Sequence, residues 1–279
     1  MTPPPVFLIG AARSGTKILR DILASSDGVS AVPYDVNYVW RFGAEDVSHD
    51  RLDPSELTER RAAFIRQTLP RQAKAAPGDV ILEKSVSNTL RVPFVDAVFP
   101  NAAYVHLVRD GRDVVESAMR QWQAKPDLRA LWTKLRGMPL SNAGYAMWFG
   151  GNLLKGLVSG RGGGKVWGPR FDGIERIAEE DGLAAVCAYQ WVCSVQQATA
   201  DLAELGDRVH EIRYERLVDA PDTVVGLAQA LDLPDPDAVR DTAHARLRPQ
   251  RSGWANLPRA QQDTIMAIIG PTLAELGYT

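Results

Sequence analysis

Three short stretches of this chain combine residue types that can hold a polyanion. The first is Gly10-Ala11-Ala12-Arg13-Ser14-Gly15-Thr16. In that frame consecutive backbone N–H groups at a helix N-terminus wrap a phosphate, and the glycines let the backbone approach closely. The second, Glu83-Lys84-Ser85, sets a cation beside a carboxylate. The third starts at Arg109-Asp110-Gly111-Arg112-Asp113 and runs to Ser117. Arg109 can fork two N–H donors to a phosphate, and Ser117, two turns along a following helix, adds a hydroxyl from the same side. Residue order in the first stretch argues against one common chemistry. A magnesium-dependent ATP or GTP site needs Lys directly after the second glycine, then Ser or Thr. Here Gly15 is followed by Thr16 and only then by Lys17, while the basic residue sits inside the loop at Arg13. No acid suited to a second metal contact follows a strand, since Asp110 stands between Arg109 and Arg112. A metal-free phosphate site is expected.

The elements that must position these groups follow from hydrophobic pattern. Val6-Phe7-Leu8-Ile9 is a continuous apolar run of the buried-strand kind, and Ile18, Leu19, Ile22 and Leu23 then lie on one helical face. Further strands are expected at Val80 to Leu82, Ala103 to Val108 and Val209 to Tyr214. Each precedes a helical pattern: Pro93 opening a helix with Phe94, Ala97 and Val98, then Val114, Val115, Ala118 and Met119, then Val224, Leu227, Ala228 and Leu231. Strand-then-helix repetition implies an α/β fold, a P-loop-type parallel sheet flanked by helices. Ligands of such sheets sit at the carboxyl ends of the strands, where Arg13, Lys84 and Arg109 all fall. From about Gln121 to Asp181 the chain changes character, with Trp122, Trp132, Trp148, Trp167 and the glycine run Ser159 to Gly164. This reads either as a helical insertion over the active site, lining an acceptor pocket, or as a surface helical pair with a loop.

Composition narrows the partners. A chain of 279 residues with 45% hydrophobic residues can fill a sizeable core. A net charge of −2 gives no global attraction to nucleic acid or anionic membrane, so an anion site must be a local cluster. Cys187 and Cys193, six apart in a helical pattern, suit neither a zinc pair nor a disulfide framework. His49, His106, His210 and His244 show no helical pairing of the zinc-binding kind. No apolar run reaches the roughly 18 residues of a membrane span, and Met1 to Pro5 is too short for a signal sequence. A soluble, cytoplasmic protein is expected, with no reading of its oligomeric state.

With these motifs in order, the sequence resembles the sulfotransferases that use 3′-phosphoadenylyl sulfate (PAPS). Residues 10–16 and the apolar helix after them are similar to that family's 5′-phosphosulfate loop. Val105-His106-Leu107-Val108-Arg109-Asp110-Gly111-Arg112-Asp113-Val114-Val115-Glu116-Ser117 is similar to its 3′-phosphate element. The likeness covers Val6 to about Gln121 and returns from Ile212 to Trp254. It implies a single sulfotransferase domain over residues 1–279, with the insertion at about 121–181. PAPS would be the co-substrate and 3′-phosphoadenosine 5′-phosphate (PAP) the product, without metal. The nucleotide would be held by Arg13, Ser14, Gly15, Thr16, Lys17, Arg109 and Ser117. Tyr214 matches a tyrosine that the family places after a later strand, and Arg251-Ser252-Gly253-Trp254 approximates its C-terminal basic loop, though Trp254 equally suits a core position.

For the transfer step, cations at the bridging oxygen stabilise the charge that develops as the donor bond breaks, and Arg13 and Lys84 are the candidates. Small-molecule members of the family often carry Lys-Thr-His, with His as the general base. The matching positions are Lys84-Ser85-Val86, so the histidine is absent. Members acting on saccharides or protein tyrosine carry a carboxylate in the loop after the first helix, where Tyr34-Asp35-Val36-Asn37-Tyr38 lies. Asp35 is the first choice for the base and Glu83 the second. The plainer readings are a turn residue after Pro33 for Asp35 and an ion pair orienting Lys84 for Glu83. The carboxylate tilts the acceptor toward a saccharide or other alcohol, with an amine as the further option. Two other classes stand beside this one: a P-loop kinase or NTPase, and a nucleotide-binding module without chemistry.

Overall fold

Val6, Phe7, Leu8 and Ile9 are all buried, because this strand, β1 (Val6–Ile9), runs through the middle of a sheet covered on both faces. The computed structural model describes residues 3–123, 168–249 and 252–278. Four more strands join β1: β2 (Val29–Ala31), β3 (Val80–Glu83), β4 (Ala103–Val108) and β5 (Val209–Arg213). The order is β2-β3-β1-β4-β5, and every pairing is parallel. This is the expected α/β class, a parallel sheet flanked by helices.

Side chains alternate across β1. Val6 and Leu8 join one core with α1 (Thr16–Leu23), α9 (Thr223–Ala230) and α10 (Pro236–Arg246), through Leu19, Ile22, Leu23, Val224 and Val239. Phe7 and Ile9 face the opposite layer, which holds Trp40 of α2 (Asn37–Trp40), Ile65 of α3 (Glu59–Ala73) and Phe94 of α4 (Val92–Val98). Ala198 and Leu202 of α7 (Gly182–Ala203) complete that layer. A third cluster forms where α5 (Gly111–Gln123), α7 and α11 (Arg259–Glu275) meet around Val115, Trp191 and Ile269.

The four strands read from the sequence are present. β2 escapes the pattern because its three residues, Val29-Ser30-Ala31, are an edge strand and only half-buried. Tyr214 does not end a strand; it opens α8 (Tyr214–Asp219). Of the expected insertion, α5 runs to Gln123, and the chain is described again from Gly168 through α6 (Ile174–Glu180). There Phe171 and Ile174 pack with Leu90 and Val186. Trp132, Trp148, Trp167 and the glycine run lie outside the described residues. Cys187 and Cys193 are free thiols on α7, and burial pushes Cys187 up to about 12, which keeps it protonated and inert.

Phe7 has no exposed surface and sits 5.7 Å from Trp40, 5.4 Å from Phe99 and 5.8 Å from Tyr104 between ring centroids. Phe7→Ala removes the centre of this aromatic group. It should lower unfolding free energy by about 3–5 kcal/mol, read from a urea denaturation midpoint.

Candidate active site

The loop after β1 is shaped by two left-handed residues, Arg13 at φ 75° and Gly15 at φ 103°. Gly15 has a second reason to be glycine. A Cβ there would lie 2.4 Å from the ring of Tyr214. Gly15 caps α1 without any side-chain hydrogen bond to the helix end, so the first amides of the helix are left for a ligand with negative charge. Ser14 is buried, and among the described residues its Oγ has no hydrogen-bond partner. A phosphate oxygen in the loop would answer that unmet donor. Thr16 is buried at the start of the helix, and Lys17, next along, is exposed.

Two distant motifs converge on this loop. Arg13 Nε donates to Ser117 Oγ at 3.0 Å, and Arg109 Nη1 donates to the Arg13 carbonyl at 3.3 Å. The Arg109 guanidinium also lies 4.3 Å from the centre of the Tyr214 ring, a cation–π contact that holds it against the sheet. Burial pushes the Tyr214 hydroxyl up from its ordinary value. Arg13 is held below the ordinary arginine value by partial removal from water, then by the positive charges of Arg120 and Arg109. Guanidinium groups crowded in this way favour an anion among them. Asp110 is a helix cap, accepting from Arg112 N at 2.9 Å and from the Arg112 guanidinium.

Asp113 reaches both Arg109, at 3.5 Å, and the C-terminal segment, accepting from Ser252 Oγ at 2.5 Å. Gly253 passes so close to Glu116 that a Cβ there would come within 2.5 Å of its carboxylate. Ser252 and Gly253 are thereby pinned beside α5. Trp254 packs on the cluster of α5, α7 and α11. Arg251 lies outside the described residues.

At the end of β3 the charges separate by burial. Lys84 Nζ stands 4.0 Å from Asp35 Oδ2, and both side chains keep some exposure, 12% and 23%. Asp35 also accepts from Asn37 N at 3.2 Å, which is the turn role, and from Val86 N at 3.0 Å. Glu83 is fully enclosed. Its oxygens accept from Ser85 Oγ at 2.5 Å and Asn88 Nδ2 at 2.9 Å. Burial raises its pKa to about 7, the Ser85 hydrogen bond opposing and the nearby Asp35 charge adding. The ion pair written at this corner is thus Lys84 with Asp35.

Beyond Glu83 a buried polar chain runs away from the site. Asn88 Oδ1 accepts from Arg91 Nε at 2.9 Å, Arg91 Nη2 donates to Asn37 Oδ1 at 2.6 Å, and Asn37 Nδ2 donates to Asp50 Oδ1 at 2.9 Å. Asp50 accepts further from Ser87 Oγ at 2.8 Å, Arg41 at 3.3 Å and Arg170 N at 2.9 Å. Desolvation lowers Arg91 to about 10 against the pull of Asp50, Asp35 and Glu83. Burial alone would raise Asp50, but Arg91 and its hydrogen-bond donors leave it below the ordinary carboxylate value.

Arg13, Ser14, Gly15, Thr16, Arg109, Ser117 and Tyr214 are brought together, with Ser252 and Gly253 reaching them through α5. Asp35, Lys84 and Glu83 form the second group, at the end of the neighbouring strand. Sequence reasoning missed Arg20, Ser85, Asn88, Arg91 and Asp113 as organising residues. Arg20 is buried on α1, and its Nη1 donates to the Pro33 carbonyl at 2.6 Å and the Val32 carbonyl at 3.3 Å. No spacing signals such a contact, because its acceptors are backbone atoms in another loop.

The chain is similar to known sulfotransferases in sequence and in fold. The model of the Sulfotransferase family matches residues 4–148. A candidate protein-tyrosine sulfotransferase of Caenorhabditis briggsae is 22% identical over 122 residues, a match spanning 42% of this chain and 43% of that relative. The match therefore spans less than half of that relative's length. Among solved structures, the sulfotransferase domain from the curacin biosynthetic pathway superposes with a TM-score of 0.52 at 18% identity, over 99% of this chain and 98% of that one. The sulfotransferase from Alicyclobacillus acidocaldarius gives 0.55 at 16%, over 99% and 95%. At these identities the structures speak for the fold.

Glu83 generates a pH signature. Its ordinary value is 4.5 and its folded value about 7, so between them the folded chain holds a proton that the unfolded chain has released. Its contribution to stability is therefore complete below the unfolded value and is lost as pH rises through the folded one. Glu83→Gln has no charge to bury. Its Tm relative to the native protein should climb by a few degrees from about pH 5 to about pH 8. A difference that stays flat across that range would contradict the raised value.

Proposed function

The chain belongs to the sulfotransferase family, and on that premise we propose that it transfers a sulfuryl group from PAPS to a hydroxyl or amine acceptor, with an alcohol such as a saccharide favoured. The observation that carries the donor reading is the convergence of Arg13, Ser117 and Arg109 on one loop. A phosphate loop alone binds any nucleotide. A second cationic group with a hydroxyl, placed against that loop, answers a nucleotide that carries a second phosphate, and the 3′-phosphate is what distinguishes PAPS from ATP. The loop from Ser14 to Thr16 would hold the 5′-phosphosulfate, Arg109 and Ser117 the 3′-phosphate, and Arg13 would lie between them. Lys17, Tyr214, Ser252, Gly253, Trp254 and Arg251 complete the proposed nucleotide contacts.

In the transfer, the acceptor oxygen attacks sulfur while its proton passes to Asp35. The bond from sulfur to the bridging oxygen breaks, and its electron pair leaves with PAP. Lys84 is the cation placed to meet that developing charge. Asp35 suits the base better than Glu83, because its carboxylate is partly exposed beside Lys84 and Glu83 is fully enclosed. The kinase or NTPase reading has less support, since Thr16 occupies the position such an enzyme needs for lysine.

Arg109→Ala should weaken PAP binding by roughly 30-fold, about 2 kcal/mol for a lost charge-assisted contact. Binding of adenosine 5′-phosphate should change little, so equal losses by calorimetry would sink the donor assignment. Asp35→Asn should lower kcat by about 100-fold or more while PAP affinity holds. An unchanged kcat in that variant would leave a nucleotide-binding module or another base as the better account.

A further inference from the structure

The Asp35 loop is tied to the end of β3 by two hydrogen bonds running in opposite directions. Val86 N donates to Asp35 Oδ2 at 3.0 Å, and Val36 N donates to Ser85 Oγ at 3.1 Å. Ser85 has no exposed surface, so its hydroxyl has no water to turn to. A serine hydroxyl ordinarily rotates to suit its surroundings. Here its single proton is directed to Glu83 Oε1 at 2.5 Å, which leaves a lone pair facing the Val36 amide.

Glu83 is itself held. Its second oxygen takes the Asn88 amide, and the Asn88 carbonyl is taken by Arg91, a group that only donates. That sequence of obligations orients the Asn88 side chain and, through Glu83, the Ser85 proton. On its other flank the loop is gripped by Arg20, whose Nη1 donates to the carbonyls of Val32 and Pro33 from the helix that follows the phosphate loop.

We propose that Ser85 is a positioning residue for sulfuryl transfer: anchored by Glu83, its hydroxyl fixes the loop that presents the Asp35 carboxylate to Lys84. This rests on the reading of Asp35 as the base. Ser85 itself does not touch the reacting atoms; it sets where Asp35 stands relative to the Lys84 ammonium, 4.0 Å away. A general base displaced by about 1 Å can cost up to roughly 100-fold in rate, so the hydroxyl carries catalytic consequence without contacting substrate. A purely structural Ser85 would instead affect stability and leave the kinetic constants of the folded enzyme unchanged.

The test is a double-mutant cycle on the full chain with PAPS and a simple alcohol acceptor, alongside amide hydrogen exchange. Ser85→Ala should lower kcat by roughly 10-fold or more with the KM for PAPS within about twofold, and Ser85→Thr, which keeps the hydroxyl, should recover most of the loss. In an Asp35→Asn background Ser85→Ala should cost nothing further in kcat. An equal loss in that background would overturn the proposal, as would a loss confined to KM. Exchange at the Val36 amide should quicken in Ser85→Ala, independently of turnover. Unchanged exchange there would overturn the clamp even in a chain that proved to transfer nothing. A native chain that bound no PAP would overturn the donor reading, and with it the role in transfer, while the exchange result still reported on the clamp.

Discussion

Parallel pairing of β3, β1 and β4 forces the ends of three strands to leave the sheet on one side, and the chemistry of this protein depends on what those ends carry. Adjacent strands lie about 4.8 Å apart, so Lys84, the loop after Ile9 and Arg109 leave the sheet within about 10 Å of one another. The register adds a vertical offset. Ile9 pairs with His106, so β4 continues for two more residues, Leu107 and Val108, before releasing Arg109. Arg109 therefore emerges level with the loop and can reach the Arg13 carbonyl. An antiparallel neighbour would have sent one of these cationic groups to the opposite edge.

Gathering cations at that edge creates an electrostatic problem that the layer beneath answers. Lys84 is matched by Asp35, Arg109 by Asp113 and Arg120 by Glu116, each at 4.0 Å or less. Under the edge, Glu83, Asp50, Arg41 and Arg91 are buried ionisable groups whose charged forms would cost several kcal/mol apiece if left without partners. They are linked through Ser85, Ser87, Asn37 and Asn88, which fixes the direction of the groups that bond. The result is a loop from residue 32 to residue 37 held by Arg20 on α1, Ser85 just after β3 and Arg91 just before α4. Such preorganisation is what a transfer site needs, since little freedom then has to be lost when substrates arrive.

Much of the fold was legible because its signals are local. β1, β3 and β4 announced themselves as largely apolar runs, and α1, α4, α5 and α9 by the period of their apolar residues. β2 stayed hidden because a three-residue, half-buried edge strand has no pattern to show. The sequence places the end of β5 at Tyr214, one residue past the strand's last residue, Arg213. In the structure the chain turns there into α8, and the ring packs on Gly15 and Arg109. The motif residues around Arg13 and Arg109 were visible by type and spacing. Arg20, Ser85 and Asp113 were not, since each acts on atoms that a linear reading places far off.

By itself the sequence determined the glycine-bearing loop from Gly10 to Thr16, the position of Lys17 after Thr16 and the three charged strand ends, because those depend on residue order within a few positions. Only the tertiary structure decided how the two acidic candidates differ. Asp35 and Glu83 are both carboxylates near Lys84; the family resemblance put Asp35 first, but nothing in their neighbours along the chain gives their burial. Glu83 is enclosed and Asp35 partly exposed, and the groups that tie the Asp35 loop to the end of β3 come from partners 49 and 51 positions away. Burial and hydrogen-bond partnership are properties of the packed chain, and they give two like carboxylates unlike chemistry.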